Sequence, residues 1–305
     1  MNRRDALRAG GAAAAAAFLA PRAAAQDDDG ASANPPFSMK YAPHLGMFRH
    51  LAGDDPLDQI RFMHDVGFRA FEDNGMRNRP VELQKRIGDL LEKLGMTMGV
   101  FVGHSQLFGT NGFATGDGET RERFVNDMKD AVEIAKRVRA TWMTVVPGER
   151  TPRLELDYQT AHLVETLKRG AAVLEPAGLV MVLEPLNPWV NHPNMLLAKV
   201  PHAYLVCKAV ASPACKILFD MYHQQITEGN ILGNVDHAWD EIAYFQIGDH
   251  PGRNEPTTGE MNYRNIFRRL ADKGYDGVLG MEHGNSRGGA EGEQAVIEAY
   301  RVSDG

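Results

Sequence analysis

Short apolar runs alternate with longer amphipathic stretches along most of the chain, and this rhythm constrains the fold more than any other feature. Runs of this kind are typical of strands that are buried on both faces. The predicted strands are Lys40–Met47, Phe68–Glu72, Thr97–Val102, Trp142–Val146, Leu179–Glu184, Lys216–Asp220, Ala243–Gln246 and Gly277–Glu282. Strands separated by helices form parallel sheets through right-handed crossovers, and eight such units close into a barrel.

The stretches between the strands carry the three-to-four-residue spacing of helices. They are Pro56–Val66, Pro80–Leu94, Glu119–Val138, Tyr158–Leu174, Leu196–Val210, Asn262–Lys273 and Glu291–Tyr300. The alternative architecture, a doubly wound open sheet, needs a glycine-rich phosphate turn after its first strand. Residues 45–50, Leu-Gly-Met-Phe-Arg-His, carry no such motif. We therefore predict an α/β fold, a single (β/α)8 TIM barrel over residues 39–302.

The first 26 residues predict a cleavable signal segment. Arg3 and Arg4 precede an uncharged, alanine-rich run over Ala9–Ala20, and Ala23–Ala25 form a cleavage site. The pattern resembles a twin-arginine (Tat-type) signal peptide and predicts an exported, periplasmic protein; a helical start of the mature chain is the alternative. The run is too short to cross about 30 Å of hydrocarbon, so no membrane span is expected after cleavage. Residues 27–38 predict a disordered linker.

The net charge and the composition limit the kinds of partner that the chain is expected to bind. The net charge of −7 and a pI near 5.9 argue against nucleic acid, because phosphate binding depends on clustered lysine and arginine. A small-molecule substrate is expected instead, and a homo-oligomer is left open. Cys207 and Cys215 are expected to be buried free thiols, with a disulfide as the alternative in an oxidising compartment.

The last four predicted strands each end on a side chain with an oxygen ligand for a metal ion. These residues are Glu184, Asp220, Gln246 and Glu282. Parallel strands separated by helices present their C-terminal ends on one face, so the four side chains are expected to converge there. Three carboxylates at the opening of the barrel, partly shielded from water, repel one another unless a divalent cation neutralises them. All-oxygen ligands favour Mg²⁺ or Mn²⁺.

An octahedral ion held in this way would leave positions for a substrate with neighbouring carbonyl and hydroxyl oxygens. Chelation would acidify the adjacent C–H bond and stabilise the enediolate formed by deprotonation. Glu184 and Glu282 come from strands 5 and 8 and are expected to face each other as a catalytic acid–base pair. The sequence therefore predicts a metal-dependent isomerase that transfers a proton through a metal-bound enediolate of a hydroxy-carbonyl or sugar substrate.

Four further residues at or beyond strand ends are candidates to bind the substrate. His223 is expected to bond a substrate oxygen, and Arg253 to grip a substrate carboxylate with two hydrogen bonds. Glu72 lies at the end of strand 2, and His104 lies just past strand 3. A structural role remains the alternative for each of them: a loop residue, a histidine bonded to backbone, or a surface salt bridge.

Several motifs at these positions resemble the hydroxypyruvate isomerase family, within the xylose-isomerase-like TIM barrels that also include ketose 3-epimerases. The motifs are Leu183–Asn187, Asp220–Gln224, Phe245–Asp249, Pro251–Pro256 and Gly259–Tyr263. In that family the glutamates matching Glu184 and Glu282 are the acid–base pair and also metal ligands. Gln246 resembles the isomerase branch, since the epimerases usually carry histidine there. Val190 stands where the epimerases have a second glutamate.

The resemblance implies a hydroxypyruvate isomerase-like activity, and other functions remain open on the same site. A ketose 3-epimerase or a sugar dehydratase would share the proton abstraction. A non-catalytic periplasmic sugar-binding barrel would not need two opposed bases. A metal-dependent nuclease of the endonuclease IV kind would need more histidine ligands and a basic groove.

Overall fold

The computed structural model of the protein describes residues 34–105 and 109–304. The predicted signal segment, residues 1–26, lies outside this range, as does most of the predicted linker. Residues 34–38, at the end of that linker, pack against the barrel. Phe37 is buried and stacks on Phe68 with ring centroids 4.6 Å apart, and Ser38 donates a backbone hydrogen bond to Asp304. No helix in the described ranges is long and apolar enough to span a membrane.

The described strands run parallel and follow the chain order around a barrel. They are β1 (Lys40–Ala42), β2 (Ala70–Phe71), β3 (Thr97–Met98), β4 (Trp142–Val145), β5 (Val180–Leu183), β6 (Cys215–Asp220), β7 (Ile242–Gln246) and β8 (Val278–Gly280). Six of them form one sheet in the order β1-β8-β7-β6-β5-β4, and β2 pairs with β3. Isolated parallel bridges, His44–Glu72 and Val102–Thr144, join this pair to its neighbours. The predicted α/β TIM barrel is the observed fold.

Helices cover the outside of the strands. They are α1 (Arg49–Ala52), α2 (Pro56–Asp65), α3 (Val81–Lys93), α4 (Gly118–Val138), α5 (Leu156–Leu174), α6 (Val200–Val210), α7 (Met221–Thr227), α8 (Ile231–Ala238), α9 (Tyr263–Asp272) and α10 (Gly289–Ser303). The start of α2 shows how local sequence sets these bounds. Asp55 accepts a hydrogen bond from the Leu57 amide at 2.7 Å, and Pro56 occupies the first helical position.

The sequence predicted no helix between β6 and β7, where the structure has α7 and α8. Asp220 is both the last residue of β6 and the N-cap of α7, because its Oδ1 accepts from the amides of Tyr222 and His223. The strand therefore runs into the helix without a loop whose composition would mark the boundary. Cys207 and Cys215 are buried and free, as expected.

A small apolar cluster inside the barrel lies beneath a hydrogen-bonded polar pair. The cluster is formed by Ala42, Ala70, Val100, Val182, Leu218, Tyr244 and Val278. Above it, the Tyr244 hydroxyl donates to Oε2 of Glu72 at 2.8 Å. A Cβ atom at Gly99 would overlap the Tyr244 hydroxyl, and one at Gly280 would overlap the Glu72 carboxyl. Glycine at these positions therefore makes room for the pair inside the barrel.

Candidate active site

A cavity of about 220 Å³ opens at the C-terminal ends of the strands, the face on which TIM barrels carry their active sites. It is smaller than the roughly 300–1,000 Å³ sites of drug-sized ligands, so it suits a substrate of few atoms. Its walls are Asn74, Val102, His104, Thr144, Val146, Glu184, Leu186, His192, His223, Arg253 and Glu282. Five of the residues predicted from the sequence, Glu184, Glu282, His223, Arg253 and His104, thus lie on this cavity.

The carboxyl groups of Glu184, Asp220 and Glu282 meet at its base. Glu184 and Asp220 are almost fully buried, and the Glu282 side chain is 25% exposed. Burial raises the pKa of Glu184 well above its ordinary range, and the charges of Glu282 and Asp220 add to the effect. Burial likewise raises the pKa of Glu282, to about 7, while the nearby Arg253 opposes the shift. This density of buried carboxyl groups is the arrangement that a bound cation would stabilise.

Glu184, Asp220 and His223 each bring one ligand atom to within 4.8 Å of the others. Nε2 of His223 lies 3.9 Å from Oε1 of Glu184 and 3.7 Å from Oδ2 of Asp220. Burial lowers the pKa of His223 to about 4, so the ring is neutral at pH 7. By proximity alone, these three residues are able to surround a metal ion.

Gln246 lies deeper, at the end of β7 and paired in register with Asp220. Its side chain is fully buried, and its Oε1 has no hydrogen-bond partner among the described residues. A buried carbonyl oxygen without a donor is unusual, and it is also a suitable ligand for a hard cation. The orphaned oxygen and the clustered carboxyl groups together fit a divalent ion.

Glu72 lies beneath the cavity rather than on its wall. Its carboxyl group accepts from Tyr244, and Nε2 of Gln246 donates weakly to it at 3.5 Å. Burial raises the pKa of Glu72 well above its ordinary range, with Glu282 as the next cause. In this structure Glu72 supports Gln246 from below, whereas the sequence suggested contact with substrate.

Arg253 sits among the carboxyl groups. Its Nη2 donates to Oε2 of Glu282 at 2.7 Å and to Oδ2 of Asp220 at 3.2 Å, and its Nε donates to the Glu282 carbonyl oxygen at 3.1 Å. The guanidinium also lies over the Tyr222 ring, 4.9 Å from its centroid. Burial opposes the charged form, but Glu282 and Asp220 outweigh it and raise the pKa of Arg253. The group is therefore a fixed positive charge at the cavity wall.

His104 has both ring nitrogens bonded to the backbone. Its Nε2 accepts from the Val146 amide at 3.0 Å, so the ring proton is on Nδ1, which donates to the Ser105 carbonyl at 2.7 Å. Burial lowers the pKa of His104 to about 4. The ring thus shapes the wall as a neutral group, which matches the structural alternative considered for it.

Three further polar residues near the site were not predicted from the sequence. Nδ2 of Asn74 donates to Oε1 of Glu282 at 2.7 Å. Asn187 is fully buried beside His223, and His192 lines the cavity with its ring 5.4 Å from that of His223. All three lie in loops after strands, where no periodicity points to them. Asn187 belongs to the Leu183–Asn187 motif, which was the one signal available in the sequence.

Comparison with known proteins identifies the family. Residues 60–303 match the model of the xylose isomerase-like TIM barrel family. The 2-oxo-tetronate isomerase of Pectobacterium atrosepticum is 30% identical over 54% of this chain and 62% of its own length. Proteins from Xenopus laevis and Danio rerio, which carry the hydroxypyruvate isomerase name provisionally, are each 32% identical. They cover 53% and 60% of this chain, and 61% and 69% of their own lengths. The chain thus spans about three fifths of the Xenopus protein it matches.

Solved structures share the fold. A family 2 AP endonuclease from Brucella melitensis superposes with a TM-score of 0.73 at 24% identity, over 86% of this chain and 99% of its own. D-psicose 3-epimerase from Clostridium cellulolyticum gives 0.71 at 18% identity, over 87% and 98%. These identities are low enough that the likeness concerns the fold alone. On the family match and the relatives together, the chain belongs to the hydroxypyruvate isomerase family of the xylose isomerase-like TIM barrels.

Proposed function

We propose that the protein is a metal-dependent isomerase that moves a proton between neighbouring carbons of a small hydroxy-carbonyl substrate, with hydroxypyruvate as the leading candidate. The observation that carries this proposal is the pairing of Glu184 and Glu282 on one small cavity, with buried oxygen ligands at its base. The names of the relatives from Escherichia coli, hydroxypyruvate isomerase, and Pectobacterium atrosepticum, 2-oxo-tetronate isomerase, support the same reaction class.

Glu184, Asp220, Gln246 and Glu282 are the residues proposed to hold the cation. When bound, Mg²⁺ or Mn²⁺ would polarise the substrate carbonyl and stabilise negative charge on its oxygens. The orphaned Oε1 of Gln246 supports this assignment, because a hard ion would supply its missing partner. The raised pKa of Glu184 supports it as well, since burying that carboxylate without a counter-charge is unfavourable.

Glu184 and Glu282 are proposed to carry the proton. Burial raises the pKa of Glu282, which is the direction that strengthens a carboxylate as a proton acceptor. Asn74 donates to Oε1 of Glu282 and so fixes the plane of the carboxyl group. Removing a proton from one carbon and returning it to its neighbour converts the substrate through an enediolate. Walls formed by Val102, Val146 and Leu186 limit the access of water to that intermediate.

Arg253 is proposed to recognise a carboxylate. Hydroxypyruvate and 2-oxo-tetronate both carry a carboxylate beside the carbonyl, and a guanidinium binds such a group through paired hydrogen bonds. Val190, which stands where epimerases have a second glutamate, is 63% exposed and directs no acidic group into the cavity. The guanidinium of Arg253 on the cavity wall and the valine at position 190 both favour a short 2-oxo acid over a six-carbon ketose.

The experiment that tests the proposal is proton NMR with hydroxypyruvate and Mn²⁺ or Mg²⁺ in D₂O, with a chelated sample as control. We expect metal-dependent formation of tartronate semialdehyde, with deuterium entering at the carbon next to the carbonyl. Exchange without that product would instead favour an epimerase or a dehydratase of a larger substrate. No exchange would favour the binding barrel.

We also propose export through the twin-arginine signal over residues 1–26, supported by Arg3, Arg4 and the cleavage-site alanines. N-terminal sequencing of the protein from a periplasmic fraction tests this. We expect the chain to begin at Gln26 or close to it, and a chain that begins at Met1 would contradict export.

A further inference from the structure

The ring of His223 is held from one side by Asn187. Nδ2 of Asn187 lies 2.7 Å from Nδ1 of His223, and the backbone nitrogen of Asn187 lies 3.3 Å from the same atom. Both residues are almost fully buried, with exposed fractions of 0% and 1%. Nδ1 of His223 therefore faces two nitrogen groups of a single neighbour, away from solvent.

The orientation of the Asn187 amide follows from its other contacts. Its Oδ1 accepts from the backbone amides of Val190 at 3.0 Å and of Asn191 at 3.2 Å. Its Nδ2 donates to Oδ1 of Asn191 at 2.8 Å. A flipped amide would place Nδ2 against two N–H donors and Oδ1 against another oxygen. The second hydrogen on Nδ2 therefore points at His223.

It follows that Nδ1 of His223 is a hydrogen-bond acceptor. A doubly protonated ring would bring an N–H against two other N–H groups, so the ring carries one hydrogen, on Nε2. That nitrogen faces Oε1 of Glu184 at 3.9 Å and Oδ2 of Asp220 at 3.7 Å. Nη2 of Arg253 lies 3.2 Å from Nε2, and with the hydrogen on Nε2 this is a contact between two donors. The acceptors of Nη2 are Oε2 of Glu282 at 2.7 Å and Oδ2 of Asp220 at 3.2 Å.

This is the reverse of a metal-binding histidine. A histidine that binds a metal through one nitrogen donates its other ring N–H to a carboxylate, a carbonyl or water. In His223, Nδ1 instead accepts hydrogen bonds from Asn187. The ring hydrogen is therefore on Nε2, and Nε2 has no lone pair with which to bind a metal ion. His223 lies close enough to Glu184 and Asp220 to complete a ligand set, but it has the wrong tautomer for that role.

We infer that Asn187 is a positioning residue that fixes His223 as an Nε2–H donor, so that His223 hydrogen-bonds an anionic substrate oxygen and leaves the cation to oxygen ligands only. The part that concerns substrate rests on the proposed isomerase function. The exclusion of nitrogen from the cation site rests on the cation proposed there, whereas the tautomer itself rests on neither. The ligand set is then Glu184, Asp220, Gln246 and Glu282, without His223.

The first test is ¹⁵N NMR of full-length protein labelled at histidine, with His223→Gln used to assign the signals. We expect Nδ1 of His223 to resonate as an unprotonated ring nitrogen and Nε2 as a protonated one. In Asn187→Asp the new carboxylate accepts from Nδ1, and the two signals should exchange character. Asn191→Ala is the matched control, because it removes a partner of Asn187 but keeps the amide bond to His223. A protonated Nδ1 in the wild type would overturn the inference, whether or not the variants fold.

The second test is pulsed electron paramagnetic resonance of the protein loaded with Mn²⁺. We expect no coupling from a directly bound ¹⁴N nucleus in the wild type, and its appearance in Asn187→Asp as Nε2 gains a lone pair. A ¹⁴N coupling in the wild type that disappears in His223→Gln would overturn the all-oxygen site. Loss of isomerase activity in Asn187→Asp, about 10–100-fold, is expected in addition. A protein without isomerase activity but with the expected tautomer would refute the proposed function and keep Asn187 as the residue that fixes the tautomer of His223.

Discussion

Asn74 and Glu282 lie in the loops after β2 and β8, and their side chains meet at 2.7 Å, Nδ2 to Oε1. The bond occupies one oxygen of the Glu282 carboxyl group, and Arg253 binds the other at 2.7 Å. Glu282 is thus held by two donors in spite of its partial exposure. A proton-transfer group must keep its geometry over many turnovers, and two donors on one carboxyl group provide it.

Glu282→Gln is expected to lower kcat for hydroxypyruvate isomerisation by about 10²–10⁴-fold, because the amide neither accepts nor returns the proton. The change keeps the size of the side chain, so the circular dichroism spectrum and the thermal midpoint should stay close to those of the wild type. Glu291→Gln, on an exposed helix position, serves as the control. Turnover at the wild-type rate in Glu282→Gln would contradict a role of Glu282 in proton transfer.

Asp220→Asn separates the charge of Asp220 from its structural role. Oδ1 caps α7, and asparagine caps a helix about as well as aspartate, but the negative charge is lost. We expect Mn²⁺ to bind more than about tenfold more weakly, about 1.4 kcal/mol, by isothermal titration calorimetry. Asp220→Ala should also lose about 1 kcal/mol of unfolding free energy relative to Asp220→Asn, because the cap is gone. Unchanged Mn²⁺ affinity in Asp220→Asn would contradict a role as ligand.

The stability of the protein should fall with decreasing pH in part through His104. Its pKa in the folded protein is about 4, below the ordinary value of 6.5. Between these values the unfolded chain binds a proton that the folded chain does not, so unfolding is favoured as pH drops from 6.5 toward 4. The full effect is about 3 kcal/mol.

Urea unfolding at pH 7, 6 and 5 measures this dependence. His104→Gln should show a shallower loss of stability than the wild type over the same range. His237→Gln, at an exposed position, is the matched control. Equal slopes for wild type and His104→Gln would show that His104 contributes nothing to the acid sensitivity.

Gly280→Ala is expected to destabilise the fold by about 1–3 kcal/mol, because the new methyl group overlaps the carboxyl group of Glu72. The cost should be smaller in a Glu72→Ala background, which removes the atoms in the way. Gly118→Ala is the control, since that position is helical and open space surrounds it. Urea unfolding of the wild type, Gly280→Ala, Glu72→Ala and the double variant gives a double-mutant cycle. Strictly additive effects on the free energy of unfolding would contradict the contact.

Much of the site could be predicted from the sequence because the strand order of this barrel follows the chain. Glu184, Asp220 and Gln246 end or follow β5, β6 and β7, which are neighbours in the sheet, so regular spacing along the chain became proximity in space. Strand length was harder to predict. β1 ends at Ala42 rather than Met47, since Pro43 has no amide for the ladder and Gly46 turns the chain with φ +94°.

The remaining parts of the site depend on loop paths and tertiary neighbours. Asn74 reaches Glu282 across the mouth, and Asn187 reaches His223 from the loop after β5; no local pattern encodes either contact. The distance between two side chains also does not show which nitrogen of a histidine ring carries the hydrogen. His223 lies within ligand distance of two carboxyl groups, and only the bonds of Asn187 decide which of its nitrogens carries the hydrogen.

The pair β2–β3 is tied to the rest of the barrel less tightly than the six-stranded sheet is tied within itself. Within the described ranges, the backbone hydrogen bond from the Glu72 amide to the Pro43 carbonyl connects it to the end of β1, and Thr144 of β4 exchanges two backbone hydrogen bonds with Phe101 and Gly103, after β3. The pair can therefore open locally while the larger sheet stays intact, and its amides should exchange with solvent sooner than those of β5–β7. Because Glu72 lies at this joint, the part of the barrel that we expect to exchange first also carries the floor of the active site.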